Sequence, residues 1–386
     1  MSVTAAQGFV AAGCHAGIKR RRLDMALIAT DDRRPVPTAA VFTQNKFVAP
    51  PVKLDQQRLR TNGGQAAAIL VNSGNANAGT GTPGMADAER MCAAAADVLG
   101  VAEQHVLVCS TGIIGVPLPM EPILRATPRL AAGLSATGAD DAARGILTTD
   151  HRPKQVVIQG SSFTLGGMAK GCGMIAPNMA TMLAFLTTDA DVPLEAMQRM
   201  LGDACNATFN TLNVDGATST NDTAILMASA RRGPCELDDL ANALRAACED
   251  LTLQMAKDAE GMTKIVMLTV SGAKCDAEAR IAAKAIAENN LVKCSWYGSD
   301  PYWGRLLAAA GSCDLAFDPD KSRVAYGGIT VAKGGVSVPY DASAICDHMK
   351  QQRIEVLVDL GAGEASARTI GIDLGPGYIQ ENCKTS

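Results

Sequence analysis

Short apolar runs closed by glycine or proline recur along these 386 residues, and they direct the chain toward a layered α/β body. In the first half, Ala39–Phe42, Ala66–Val71, His105–Cys109 and Gln155–Ile158 read as strands. Met85–Leu99 has the Ala-rich, Glu- and Arg-bearing composition of a helix, ended by Gly100. Pro117–Leu130 and Asp140–Leu147 are weaker helical segments. The second half repeats the mixture. Met182–Thr187, Thr223–Ser229, Lys264–Ser271, Arg323–Val331 and Ile354–Leu360 read as strands; Leu194–Thr208, Leu237–Lys257 and Ala277–Glu288 read as helices. With no solenoid-length repeat and no low-complexity linker, the pattern predicts layered α/β architecture but not the order of its strands.

Composition removes several function classes. Only 4% of the residues are aromatic and the net charge is −4, so neither stacking platforms nor an electrostatic footprint for nucleic acid is expected. The one basic cluster, Lys19–Arg22 (KRRR), reads as a solvated strand end or turn. Twelve cysteines contain no C-x-x-C pair, and Cys14–His15 is the sole Cys–His neighbour pair. Zinc is therefore not expected, and reduced core thiols in a cytoplasmic protein are. The start MSVTAAQGFVAAGC lacks a signal peptide's charged beginning and long apolar core, and no run has the length of a membrane span.

Chemistry concentrates in a few polar segments. Lys170–Ala190 (KGCGMIAPNMATMLAFLTTDA) changes within a few residues from glycine-broken to strand-like sequence, and Thr181 sits at the change. A threonine hydroxyl is a poor nucleophile without a base. Cutting the chain just before it supplies one, its own α-amino group. These residues alone leave Ala180–Thr181 open between a scissile bond and an ordinary loop-to-strand junction. Val71–Gly81 (VNSGNANAGTG) follows a strand directly and suits either a turn or an active-site wall; it has no phosphate-loop signature. Ser110–Gly115 (STGIIG) offers one hydroxyl and one backbone N–H to an oxyanion at Thr111–Gly112, or forms a plain turn. Lys170 lies among the four glycines of GGMAKGCG, as an exposed turn lysine or as a partner for a carboxylate. Asn210–Thr223 (NTLNVDGATSTNDT) is a polar cluster or an elaborate turn, and Glu260 follows a helix in AEGMTK.

Taken together, these segments resemble the ornithine acetyltransferase (glutamate N-acetyltransferase) family of arginine biosynthesis over nearly the whole chain. The resemblance runs through GFVAAGCHAGIK at Gly8–Lys19, VFTQNKFVAPPV at Val41–Val52, NSGNANAGTG, STGIIG, ILTTD at Ile146–Asp150 and AKGCGMIAPNMATMLAFLTTDA. It continues in DAEGMTK, DPYWGR and DLGPGYIQEN. It implies an α/β sandwich shared with self-processing aminopeptidases of the DmpA type. It also implies self-cleavage at Ala180–Thr181 into chains 1–180 and 181–386, held as two copies of each. Thr181 is then the nucleophile, passing acetyl from N-acetylornithine to glutamate in a ping-pong cycle. Thr111 and Gly112 match the oxyanion-hole pair, and Thr148, Lys170, Thr181, Glu260 and Asn382 match substrate-binding positions. No metal, nucleotide or prosthetic group is implied; acetyl-CoA is a second candidate donor.

Three positions depart from the family pattern. Tyr302 replaces the asparagine of DPNWGR, Ala259 replaces a frequent glycine before Glu260, and the C-terminus after Asn382 is one residue shorter. Ser386 is taken as the equivalent of the family's terminal hydroxyl ligand, with Thr385 as the alternative. A self-processed amidase or aminopeptidase of the same fold, passing the acyl group to water, is the competing enzyme reading. An uncut, non-catalytic α/β binding protein is the competing reading of another class.

Overall fold

The computed structural model describes residues 2–176 and 182–383. Two sheets face each other. The first has four strands in the order Phe9–Cys14, Met25–Thr30, Ala68–Asn75, Val106–Ile113. The second has six: Gln65–Ala66, Val36–Phe42, Thr223–Ala228, Leu183–Thr188, Thr164–Lys170 and Lys154–Gln159.

Strand side chains alternate between faces, and here both faces are apolar. From the first sheet Phe9, Ala26, Ile28, Ile69, Val71 and Leu107 point inward. They meet Met168, Leu183, Phe185, Ile225 and Met227 of the second. The alternate residues Met25, Leu27, Ala29, Leu70 and Val108 pack outward against the helices Gly81–Leu99 and Met120–Ala132. On the far side Ala184, Leu186, Ala224 and Leu226 pack against Leu194–Ala207 and Leu237–Ala256. The result is helix, sheet, sheet, helix. Each large side chain so buried contributes about 1.5–3 kcal/mol by leaving water, which is why these strands read as continuous apolar runs.

A third sheet extends this sandwich. Its seven strands run Leu212–Asn213, Ala365–Ile372, Ile265–Ala273, Arg353–Asp359, Arg323–Tyr326, Ile329–Lys333, Val336–Ser337. Val266, Leu268 and Val270 face its own helices, while Ile265, Ile370 and Ile372 join the core under Leu237–Ala256.

Several expectations need correction. Arg323–Val331 is not one strand but a hairpin, turned at Gly327 and Gly328, where φ is +56° and +80°. The helix expected from Pro117 starts at Met120, because Pro119 occupies its N-cap. The glycines before Lys170 do not make a turn. Thr164–Lys170 is a fully buried strand, and a Cβ at Gly166 would collide with the Ser2 carbonyl passing over it. These glycines serve close approach of backbones. Nor are the thiols uniformly core. Cys92, Cys109, Cys172, Cys205 and Cys248 are buried, whereas Cys275, Cys294, Cys346 and Cys383 are exposed. Among the described residues no helix is long and apolar enough to cross a membrane.

Candidate active site

The two facing sheets open at one end, where the first pair of parallel strands finishes in polar residues. Ala68–Asn75 and Val106–Ile113 pair in parallel until Gly74 meets Gly112 and the register shifts. Gly112 has φ +134°, and a Cβ there would run into the Gly74 carbonyl carbon. Glycine is thus required at the point where the backbone breaks from the ladder beside Thr111. The Ser219–Asn221 loop closes this end from the second sheet. Asn221 Nδ2 donates to the carbonyls of Ala76 (2.7 Å) and Ser110 (2.9 Å), so one buried amide ties the ends of both sheets together.

A cavity of about 150 Å³ lies there. Its wall includes Thr111, Gly112, Thr148, Lys170, Glu260 and Asn382. Six residues from five widely separated segments, each singled out from the sequence, are brought to one cavity. Ala180, Thr181 and Ser386, also expected in the site, lie outside the described residues, as does Thr385.

The charged groups of the wall are held by an inner layer. Asp150 is fully buried. Its Oδ1 accepts from Lys154 Nζ (2.5 Å) and the Gly171 N–H (2.7 Å), and its Oδ2 accepts from the Thr148 N–H (3.1 Å). Lys170 Nζ lies 3.8 Å from the same Oδ2. Burial by itself would raise the Asp150 carboxyl. The charges of Lys170 and Lys154 and these hydrogen bonds more than offset it, holding the group well below the usual carboxylate range. Lys154 is in turn shared with Asp258 (2.5 Å). Burial opposes its charge, yet the two carboxylates hold its ammonium above the ordinary range. With Lys154 so committed, Lys170 is, among the described residues, the cationic side chain that reaches the cavity wall.

Glu260 is the anionic counterpart. Its Oε1 accepts from Thr149 Oγ1 (2.7 Å) and its Oε2 from Asn382 Nδ2 (2.8 Å), both neutral donors. Its side chain passes over Gly173, where a Cβ would collide with the carboxylate. The cavity lining therefore combines a cation, an anion, and the backbone and hydroxyl groups of Thr111–Gly112. Such a set has the chemistry to hold a small amino acid by its two charged ends and to stabilise an oxyanion.

Thr148 is legible in the sequence, but its neighbours Thr149 and Asp150, which contact Glu260 and Lys170, are not. The only local signal was three consecutive polar residues after an apolar pair. The basic cluster is also not merely solvated. Lys19 Nζ donates to the Leu147 carbonyl (2.7 Å) and Arg22 Nη1 to the Asp150 carbonyl (3.0 Å), bracing the loop that carries Thr148. Tyr302, the unusual residue of DPYWGR, is half-exposed and lies under the Arg305 guanidinium at 4.9 Å. Among the described residues no cluster of His, Cys, Asp and Glu suited to a metal ion occurs.

The ArgJ family model matches residues 10–385. The arginine biosynthesis bifunctional protein ArgJ of Caldanaerobacter subterraneus subsp. tengcongensis is 44% identical, with 97% of this chain and 96% of that protein covered. Its namesake in Streptomyces coelicolor is 44% identical with 99% of each covered. Among solved structures, the ornithine acetyltransferase of Mycobacterium tuberculosis complexed with ornithine is 41% identical. There 46% of this chain and 94% of the solved chain are covered, with a TM-score of 0.44.

Proposed function

The chain belongs to the ArgJ family, and from that premise we propose that it transfers the acetyl group of N-acetylornithine to glutamate, yielding ornithine and N-acetylglutamate. The observation that carries the reading is the joining of Thr111, Gly112, Thr148, Lys170, Glu260 and Asn382 around one cavity. In this reading the precursor cuts itself between Ala180 and Thr181, and residues 1–180 and 181–386 stay together as an α2β2 assembly. Thr181 Oγ attacks the acetyl carbonyl while the new α-amino group, with a reference pKa of about 7.7–8.0, takes the hydroxyl proton. Thr111 and Gly112 stabilise the tetrahedral oxyanion. The C–N bond breaks, ornithine leaves with the proton on its amine, and acetyl stays as an ester on Thr181. The glutamate amine then attacks that ester and releases the threonine hydroxyl. Acetyl-CoA is the alternative donor to the same hydroxyl. The reaction is placed in the cytoplasm.

Both amino acids carry an α-carboxylate, and Lys170 is assigned to it, with Glu260 assigned to the amino end. Replacing Lys170 by Met is expected to raise KM for N-acetylornithine and for glutamate alike. A hydrogen bond to a charged group is worth about 1.5–3 kcal/mol, or roughly 10- to 100-fold. Steady-state assays of each substrate check this, and unchanged KM values would remove Lys170 from substrate binding. Gly112→Ala is expected to lower kcat by about 10²–10³-fold, since the added Cβ must displace the oxyanion donor. A kcat near wild type in that variant would place the oxyanion elsewhere. Formation of N-acetylglutamate from glutamate, in place of free acetate, separates transfer from the amidase reading.

A further inference from the structure

Asn221 and Asp222 are adjacent, and each holds backbone at the end of a different sheet. Asn221 grips the Ser110 carbonyl, one residue before Thr111. Asp222 is fully buried at the start of the strand Thr223–Ala228. Its Oδ1 accepts the N–H of Met182 at 2.9 Å. The Met182 carbonyl in turn accepts from the Thr223 N–H at 3.2 Å, and the Asp222 carbonyl accepts from Thr43. The amide that Asp222 holds is the nitrogen of the Thr181–Met182 peptide bond. Its other oxygen, Oδ2, is buried with no hydrogen-bond partner among the described residues. A buried, half-used carboxyl group is costly in a structural position.

We propose that Asp222 is a positioning residue for Thr181, working as a neutral acid that clamps the Thr181–Met182 peptide while Asn221 clamps the oxyanion strand, so that this dipeptide sets the distance between nucleophile and oxyanion donors. Burial raises the Asp222 carboxyl well above the ordinary range, against the opposing pull of the Met182 amide, the Ser219 hydroxyl and the charge of Lys170. Burial away from water disfavours the ionised form more than the neutral acid. This inference rests on the reading of Thr181 as the residue freed by self-cleavage.

The test compares Asp222→Asn, Asp222→Ala and Asp222→Glu in the full chain, following processing by intact mass and acetyl transfer by steady-state kinetics. Asn reproduces the neutral acid's acceptor and donor, so it is expected to process and turn over within a few-fold of wild type. Ala removes the clamp. A misplacement of the order of 1 Å costs about 100-fold, so processing, and kcat of whatever fraction is processed, are expected to fall by about that factor. KM for N-acetylornithine is expected to stay near wild type, because Lys170 and Glu260 are untouched. Processing and kcat at wild-type levels in Asp222→Ala would overturn the proposal, and so would a KM rise matching the loss in kcat. An Asn variant as poor as Ala would also overturn it, since the ionised carboxylate would then be the working form. If the Ala variant does not fold, Glu decides: its extra methylene displaces the clamp, and wild-type processing there counts against the proposal. A wild-type chain that itself stays uncut would sink the reading of Thr181, whatever the variants do.

Discussion

Replacing Thr181 by Ala is expected to leave the chain as a single uncut species with no measurable acetyl transfer. Both outcomes have one cause. The hydroxyl that would attack the Ala180 carbonyl during processing is the same hydroxyl that would take the acetyl group afterwards. Loss of a covalent nucleophile costs roughly 10⁴-fold or more in comparable systems, and here the base would disappear as well, because no free α-amino group forms without the cut. Thr181→Ser keeps a hydroxyl and is expected to process, with a slower rate where the missing methyl loosens the rotamer. Intact mass and a glutamate acetylation assay read both variants. A Thr181→Ala chain that still divides after Ala180 would assign the cut to another group.

The second large effect is on stability. Asp150→Ala is expected to lower it by about 3–5 kcal/mol, the usual consequence of removing one partner from a buried ion pair. Lys154 keeps Asp258 as a partner, so the loss falls on Lys170 and on the Gly171 and Thr148 amides. Asp150→Asn, which keeps an acceptor without the charge, is expected to lose less. The sign of the pH dependence follows from the depressed carboxyl. Its stabilisation is full above the unfolded value of about 3.9 and fades as pH falls through the lower folded value. Thermal unfolding of wild type should therefore weaken with acid below about pH 4, and the Asn variant should lose that component. A midpoint unchanged in Asp150→Ala would mean that Lys170 is held by something else.

The sandwich was legible where local pattern and burial agree. Met182–Thr187 and Thr223–Ser229 were readable as strands because both of their faces enter a core. The third sheet was legible only in pieces. Its centre pairs Ile265–Ala273 with Arg353–Asp359 in parallel and with Ala365–Ile372 antiparallel, a choice made by contacts far apart in the chain. Glycine misled at Thr164–Lys170, where absent side chains admit Ser2 and Leu186 and no turn forms. The same strand explains why Lys170 is buried and poised, not a solvated turn lysine. Thr111, Gly112, Thr148, Glu260 and Asn382 could be named through resemblance. Asp150, Thr149 and Asp222 could not, because their meaning lies in partners 20 to 111 residues away along the chain.

The central claim is that Thr181, freed by cutting the chain, carries the acetyl group. Its most direct test is to mix processed protein with N-acetylornithine in the absence of glutamate, quench with acid, and weigh the chains. One acetyl group on the chain beginning at Thr181, discharged as N-acetylglutamate when glutamate is added, is the predicted result. An unmodified chain, an acetyl group on residues 1–180, or a label that glutamate does not remove would contradict it.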